Sequence, residues 1–221
     1  ALARALAKNA RLVLLDEPLA NLDYKLREEL RAELPKIFSA SGAIFVYATA
    51  EPEEALLLGG NTATLEEGRV TAFGPTVEVY RRPNTLATAR TFSDPPINTV
   101  AVTKTGGSFR ISGSPVEVPV PTAYAATADG AYLLAIRPHH LSPVAHAGAV
   151  ALPASVRVVE ITGSESFIHV TCVGEDWIML AHGVHALPAG TAVTVHFQPR
   201  HLLLFTPTGE AVAAPGSAVA A

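Results

Sequence analysis

The 221-residue sequence is poor in cysteine, charge and aromatic residues. Cys172 is its only cysteine, so no internal disulfide can form, and the composition fits a reducing compartment. The net charge is −4 without a Lys/Arg-rich run, which argues against nucleic acid or an anionic membrane as a direct electrostatic partner. No apolar run approaches the ~18 residues of a spanning helix, and no charged-then-apolar leader is present. We therefore expect no direct membrane insertion.

Apolar residues make up 49% of the sequence, which predicts a folded chain with a sizeable core. Helical and strand patterns alternate over residues 1–93, as in an α/β domain. Short Val- and Thr-rich runs between Pro and Gly residues then dominate residues 94–210, which predicts an all-β barrel or sandwich. Residues 211–221 form an Ala-rich tail that we expect to be frayed.

The most informative segment is an apolar run, residues 12–15, that leads into Asp16, Glu17 and a proline. Such a run predicts a buried parallel strand, and α/β sheets place ligand sites at the carboxyl ends of these strands. Acids at a buried strand end need a cation or a hydrogen-bonding partner. A Mg²⁺–nucleotide site supplies the cation, with Asp16 holding the metal and Glu17 orienting the attacking water. The alternative is a pair of ordinary strand-end acids.

Periodicity predicts the elements that follow. The spacing of apolar residues over 23–38 predicts an amphipathic helix, which Pro35 should kink or end early. Further predictions are a buried strand at 43–48, a helix at 51–58, a hairpin of 62–65 with 69–72, and a helical turn or two at 75–80. Strands are predicted at 109–111, 116–120, 132–136, 156–161, 167–173, 177–180, 192–197 and 202–205.

Several segments resemble the ATP-binding subunits of ABC transporters of the carbohydrate- and polyol-importer type. Leu-Leu-Asp-Glu-Pro (residues 14–18) and Leu-Ala-Asn-Leu-Asp (residues 19–23) resemble a Walker B motif and D-loop. Residues 1–6 resemble the helix after the signature loop, and residues 46–55 resemble the switch segment. Residues 136–141 resemble part of the regulatory domain of this family, which is an OB-like β-barrel. The resemblance covers nearly the whole chain.

The resemblance implies ATP and Mg²⁺ as cofactors. Asp16 would serve the metal, Glu17 the catalytic water, and Asp23 the interface between two ATPase domains, although Asp23 is also a good N-cap for the helix that follows. Ala50 stands where the family usually has a switch histidine that contacts the γ-phosphate. Alanine can donate no side-chain hydrogen bond, so we expect an impaired site in this subunit, unless Glu17 suffices.

The sequence contains no G-x-x-x-x-G-K-[ST] phosphate loop and no Leu-Ser-Gly-Gly-Gln signature. We therefore expect the C-terminal portion of a longer subunit, with weak or no ATP binding by this chain alone. The resemblance implies a cytoplasmic subunit, peripheral on the inner face of the cell membrane through permease subunits. It also implies a second ATPase subunit, in a homodimer or, given Ala50, more readily a heterodimer. Residues 55–60 and 92–98 resemble a subgroup tied to glycerol or related polyols.

The rival hypothesis is a non-catalytic regulatory or dimerisation module. All eight histidines lie in the β-rich part, without the partners of a metal site, so we expect them to be structural. Cys172 and Trp177 are expected in the core. Residues 136–141 and 197–202 echo each other, since both have a proline followed by His-Leu, which suggests two related β-units.

Overall fold

The computed structural model describes residue 8 and residues 10–212, and the chain divides into two compact units, Ala1–Arg82 and Pro83–Ala221. The composition changes about ten residues later, at residue 93, where we expected the domain boundary. Of the predicted tail, Ala211 and Val212 are held by backbone hydrogen bonds of 2.9 and 2.8 Å, and residues 213–221 lie outside the described residues.

The first unit contains β1 (Leu12–Asp16), α1 (Tyr24–Ser41), β2 (Ile44–Ala48), α2 (Pro52–Leu58), β3 (Asn61–Glu66), β4 (Arg69–Pro75) and α3 (Thr76–Arg81). β1 and β2 pair in parallel, as predicted, and their register places Asp16 opposite Ala48. β3 and β4 form the predicted antiparallel hairpin. A parallel pair joined by a helix is the unit from which α/β sheets are built.

Pro35 was predicted to kink α1 or end it early, and the early end is wrong, because α1 continues through it to Ser41. An interior proline removes one backbone hydrogen bond and costs about 3 kcal/mol. Packing on both sides of the proline offsets this cost. Leu34 is 1% exposed, and the Phe38 ring stacks on Phe45 of β2 at 3.9 Å between centroids.

The β1–β2 sheet is apolar on both faces, yet only one face is buried. Val13 and Leu15 are buried, whereas Leu14 is 69% and Ile44 67% exposed. The expectation of buried strands therefore holds for one face only. The other face is exposed because, among the described residues, α1 covers one face of the sheet and no element covers the other.

The second unit contains α4 (Leu86–Thr91), β5 (Asn98–Thr105), β6 (Ser108–Ile111), β7 (Glu117–Pro119), β8 (Gly130–Ile136), β9 (Leu141–Ser142), β10 (Val150–Ile161), β11 (Glu165–Cys172), β12 (Glu175–His182), β13 (Ala192–Phe197) and β14 (Leu203–Phe205). The ten strands form two five-stranded antiparallel sheets, with orders β14-β8-β5-β6-β7 and β12-β11-β10-β13-β9. One apolar core draws side chains from both sheets. It includes Cys172 and Trp177, as predicted.

Sequence patterns missed α4, β5 and β9. β5 is the serious omission, because it lies in the middle of its sheet, between β8 and β6. Its inward positions include two polar residues, Asn98 and Lys104, each 3% exposed. These residues break the apolar alternation on which the strand prediction depends.

The two echoed segments are the two places where the chain crosses between the sheets. Pro138–His140 forms a 3₁₀ turn between β8 and β9, and Pro199–His201 forms another between β13 and β14. β8 pairs with β14 and β9 with β13, both antiparallel. The register is the same on both sides of the turns. Ala135 pairs with Leu203 and Leu141 pairs with Phe197, and equal numbers of residues separate Ala135 from Leu141 and Phe197 from Leu203. The turns therefore lie side by side, related by an approximate two-fold axis.

Candidate functional site

Asp16 and Glu17 lie at the carboxyl end of β1. Both are exposed, and the Glu17 N–H donates to the Ala48 carbonyl of β2 at 2.9 Å. Glu17 has φ +41°, a left-handed conformation that is uncommon for a residue other than glycine. Strained backbone of this kind costs of order 1–3 kcal/mol and clusters at functional sites. The bond to Ala48 fixes the strained residue against the neighbouring strand end.

Asp23 closes a tight turn that follows Glu17. Its Oδ1 accepts the Leu26 N–H at 3.0 Å, so the N-cap role expected from the sequence is confirmed. Within the turn, the Ala20 N–H donates to the Glu17 carbonyl at 3.2 Å, and Arg27 Nη2 donates to the Ala20 carbonyl at 3.4 Å. The capping role uses one carboxylate oxygen and leaves Asp23 exposed at the surface.

Ala50 lies two residues beyond the end of β2, on the same sheet edge as Asp16. The backbone around it is organised by Thr49, whose Oγ1 accepts the Glu51 N–H at 2.9 Å and donates to Glu54 Oε2 at 2.6 Å. The Ala50 side chain is exposed and takes no part in these bonds. The structure therefore brings Asp16, Glu17 and Ala50 to adjacent strand ends.

Glu54 is the charged residue that sequence reasoning missed in this region. It is 4% exposed and accepts hydrogen bonds from the Tyr47 hydroxyl at 2.9 Å and from Thr49. Arg31 of α1 approaches it at 3.8 Å and balances its charge. Burial and the bond to Glu54 raise the pKa of Tyr47. The only sequence signal near it was the alternation of Tyr47 and Thr49, which places both hydroxyls on the strand face that α1 covers.

The donor set at the β1 end fits one of the two groups that the resemblance implies, the metal ion, and lacks a loop for the other, the nucleotide phosphates. Mg²⁺ in nucleotide sites takes one or two carboxylates and completes its shell with phosphate and water oxygens, and Asp16 fits that requirement. No group of three His, Cys, Asp or Glu side chains in the described residues converges as a complete metal site. The sequence, in contrast, contains no glycine-rich loop with a lysine that could bind the nucleotide phosphates.

A second cluster of chemically active side chains lies at the two crossover turns. We use "crossover cluster" for His139, His140, Arg200 and His201. The His140 ring is 4.3 Å from that of His139 and stacks on His201 at 4.1 Å, between centroids. Arg200 Nε donates to His201 Nε2 at 3.2 Å, so that nitrogen is unprotonated. Arg137, 6% exposed, adds a buried positive charge behind the cluster.

The imidazoles of the crossover cluster favour their neutral forms. Burial, then the neighbouring His139, His201 and Arg137, lowers the pKa of His140 to about 4. Burial and adjacent positive groups also lower the pKa of His139 and of His201. No carboxylate among the described residues forms an ion pair with any of the four side chains. Arg200 is therefore the permanent positive charge among these four side chains, and the three imidazoles beside it favour their neutral forms.

Comparison with known proteins agrees with this architecture. The TOBE domain family matches residues 134–205, which include both crossover turns. The chain is 32% identical, over 97% of its length, to the sn-glycerol-3-phosphate import ATP-binding protein UgpC of Cupriavidus necator. It is 33% identical, over 96% of its length, to UgpC of Ruegeria pomeroyi and to the xylose/arabinose import ATP-binding protein XacK of Haloferax volcanii. The chain is homologous to ATP-binding proteins of ABC importers.

The resemblance found from sequence motifs is thus confirmed. The chain covers 61% of the Cupriavidus relative, 59% of the Ruegeria relative and 57% of the Haloferax relative, so it spans about three-fifths of their length. The TOBE domain match lies within the second unit and covers residues 134–205 of the predicted β-rich part, residues 94–210. In the part of the chain that the structure describes, no helix is long and apolar enough to cross a bilayer.

Proposed function

We propose that this chain is the C-terminal portion of an ABC importer ATP-binding subunit that couples ATP binding and hydrolysis to solute uptake. The observation that carries the proposal is the arrangement at the β1 and β2 ends. Two acids follow one parallel strand, the second in a strained conformation tied to its neighbour, and the switch-like segment follows the other. Residues 1–93 are then a partial ABC ATPase domain, and residues 94–210 a regulatory domain.

Each residue at this edge has a distinct role in the proposal. Bound Mg²⁺–ATP supplies the electrophilic phosphorus and the charge neutralisation of phosphoryl transfer. Asp16 offers a carboxylate oxygen to the metal or to a water bound to it. Glu17 accepts a hydrogen bond from the attacking water and orients it, and its fixed backbone limits where the carboxylate can reach. Asp23 holds the start of α1 and faces a second ATPase subunit.

In the proposal, Ala50 makes this a degenerate subunit, which means that its own hydrolytic site is impaired. A methyl group cannot donate a hydrogen bond to a phosphate oxygen, so charge that develops there gains no stabilisation from this position. The Thr49–Glu54 network keeps the segment in shape without a histidine. Such a subunit works best beside a complete second ATPase, in a heterodimer attached to permease subunits at the inner face of the membrane. The solute would be a sugar, a polyol or a glycerol-type compound.

The test uses the full-length subunit and its Ala50→His, Glu17→Gln and Glu33→Gln variants. We expect slow ATP hydrolysis by the subunit alone, faster hydrolysis after Ala50→His, and none after Glu17→Gln. Removing an oxyanion-stabilising donor costs about 10²–10³ in rate, so its return should be easy to measure. Glu33→Gln, an exposed position on α1, is the matched control and should not change the rate. Ordinary turnover by the unmodified subunit alone would contradict the degenerate-subunit proposal.

The alternative function is a non-catalytic regulatory or dimerisation module. It is favoured by the second unit, whose two sheets close around a core of their own, and by the lack of a phosphate loop in the sequence. Light scattering and fluorescent-nucleotide titration of the 221-residue chain distinguish the two. A stable dimer that does not bind nucleotide supports the module, whereas nucleotide binding by this chain counts against it.

A further inference from the structure

We propose that Glu54 is a positioning residue for the switch segment, and that it acts on Ala50 through the Thr49 hydroxyl. The inference rests on the proposed function, since it takes Ala50 as the switch position of an ATPase site. Glu54 acts through Thr49 rather than on the reacting atoms. It holds the residue before Ala50 and, through Arg31, attaches that residue to α1.

The Thr49 hydroxyl organises the backbone on both sides of Ala50. Its Oγ1 accepts the Glu51 N–H at 2.9 Å, which closes a turn with Ala50 at its centre. A hydroxyl has one proton and two lone pairs, so a defined acceptor for the proton sets the direction of the lone pairs. Glu54 Oε2 is that acceptor, at 2.6 Å. The carboxylate therefore fixes the rotation of the hydroxyl, and the hydroxyl fixes the backbone of Ala50.

The two oxygens of the Glu54 carboxylate face different elements. Oε2 also accepts the Tyr47 hydroxyl of β2 at 2.9 Å, while Oε1 lies 3.8 Å from Arg31 Nη2 of α1. Arg31 is itself held on α1 by Glu28, at 2.9 Å. A polar group with 4% exposure needs partners of this kind. A shift of β2 relative to α1 would break one of these contacts, so the carboxylate locks the switch segment to the helix that Asp23 caps.

This network is complete although the switch position carries alanine. Its bonds run through the Thr49 hydroxyl, the Glu51 amide and the Glu54 carboxylate rather than through the side chain of residue 50. A histidine placed there therefore starts from a backbone that is already fixed. Such support matters, because a displacement of about 1 Å can cost about 100-fold in rate. We expect any gain from Ala50→His to depend on Thr49 and Glu54.

The experiment compares Thr49→Val with Thr49→Ser in the full-length subunit that carries Ala50→His. Valine removes the hydroxyl and keeps the branched shape, whereas serine keeps the hydroxyl. Thr49→Val should lower kcat, measured per bound nucleotide, by about 10- to 100-fold and leave KM within about twofold, because the lost support acts on the transition state. Thr49→Ser should retain most of the rate. If Ala50→His raises the rate and the two variants then have equal kcat values, the proposal is wrong.

Hydrogen exchange separates this inference from the proposed function. The Glu51 amide of the full-length subunit should exchange about tenfold faster in Thr49→Val, and at an unchanged rate in Thr49→Ser, whether or not the subunit hydrolyses ATP. If Ala50→His brings no gain in rate while the two variants differ in exchange, the degenerate-subunit proposal fails and the positioning role stands. Equal exchange in the two variants would overturn the positioning role whatever the rate.

Arg31→Gln tests the attachment to α1. It removes the positive charge that faces Glu54 Oε1, so exchange of the Glu51 amide should speed up. Lys25→Gln is the matched control, because Lys25 lies on the same helix in an exposed ion pair with Glu29, and it should leave exchange unchanged. Equal exchange rates in these two variants would show that α1 does not hold the switch segment.

Discussion

The side-chain amide of Asn98 forms two hydrogen bonds with the backbone of Ile178. Its Nδ2 donates to the Ile178 carbonyl at 2.9 Å, and its Oδ1 accepts the Ile178 N–H at 2.7 Å. Asn98 begins β5 in one sheet and Ile178 lies in β12 of the other. The amide thus acts like a strand residue that links the two sheets. Next to it, the Trp177 indole N–H donates to the Thr99 carbonyl at 3.2 Å.

Asn98→Ala should destabilise the second unit by about 1–3 kcal/mol, because it leaves the half-buried N–H and carbonyl of Ile178 without these partners. Trp177 is the only tryptophan, so its fluorescence during urea denaturation reports on this unit. Thr103→Ala, at an exposed position of β5, is the control and should change the free energy of unfolding by under about 1 kcal/mol. Equal effects of the two substitutions would mean that the amide link adds no stability.

Glu54→Ala should loosen the segment around Ala50. Without the carboxylate, the Tyr47 and Thr49 hydroxyls lose their acceptor and Arg31 loses a buried counter-charge, at a cost of about 2–4 kcal/mol. Hydrogen exchange of the Glu51 amide, which donates to Thr49, should speed up markedly. Glu53→Ala is the control, since the Glu53 side chain is 71% exposed and its ion pair with Arg31 is worth little. Unchanged protection of Glu51 after Glu54→Ala would contradict this role.

Acid should destabilise the second unit through the crossover cluster. The pKa of His140 falls from 6.5 to about 4 on folding, so between these values the unfolded chain binds more protons. Its contribution to stability is therefore complete above about pH 6.5 and is lost as the pH falls toward 4. His140→Gln should flatten the pH dependence of the denaturation midpoint in that window, while His146→Gln should leave it unchanged. Parallel profiles for the wild type and His140→Gln would exclude the cluster as the cause.

Cys172 should be nearly inert in the folded chain. It is fully buried, and burial raises the pKa of its thiol to about 11. At pH 8 about one thiol in a thousand is ionised, compared with about one in ten at the ordinary pKa of 9.0, and only the thiolate reacts. Labelling with a disulfide reagent should therefore be more than about 100-fold slower than in guanidinium. Fast labelling while Trp177 fluorescence stays native would show that the core opens locally.

Local patterns predicted most of the elements. The apolar run of β1, the amphipathic spacing of α1 and the Glu-Gly turn between β3 and β4 are local properties of the sequence, and each element forms where it was expected. β5 was missed because its inward positions carry Asn98 and Lys104. These residues are accepted in the core only through remote partners, Ile178 for the first and Asp129, at 3.0 Å, for the second.

The candidate site, likewise, was predicted in part from the sequence and in part not. Sequence motifs located Asp16, Glu17, Asp23 and Ala50, but their roles stay predictions. The Glu54 residue itself carried no signal of burial, because a glutamate on a short helix is ordinarily exposed. Only the folded chain shows that Tyr47 and Thr49 turn their hydroxyls toward it.

The sequence by itself showed the resemblance to ATP-binding proteins of ABC importers, the α/β and β-rich patterns and the strand-end acids, because these depend on residue type and spacing along the chain. Only the tertiary structure decided which histidines meet. The two crossover turns lie about sixty residues apart in the sequence. They meet because antiparallel pairing of β8 with β14 and of β9 with β13 brings them together. Contacts of this kind are set by the register between distant strands, which no local pattern records.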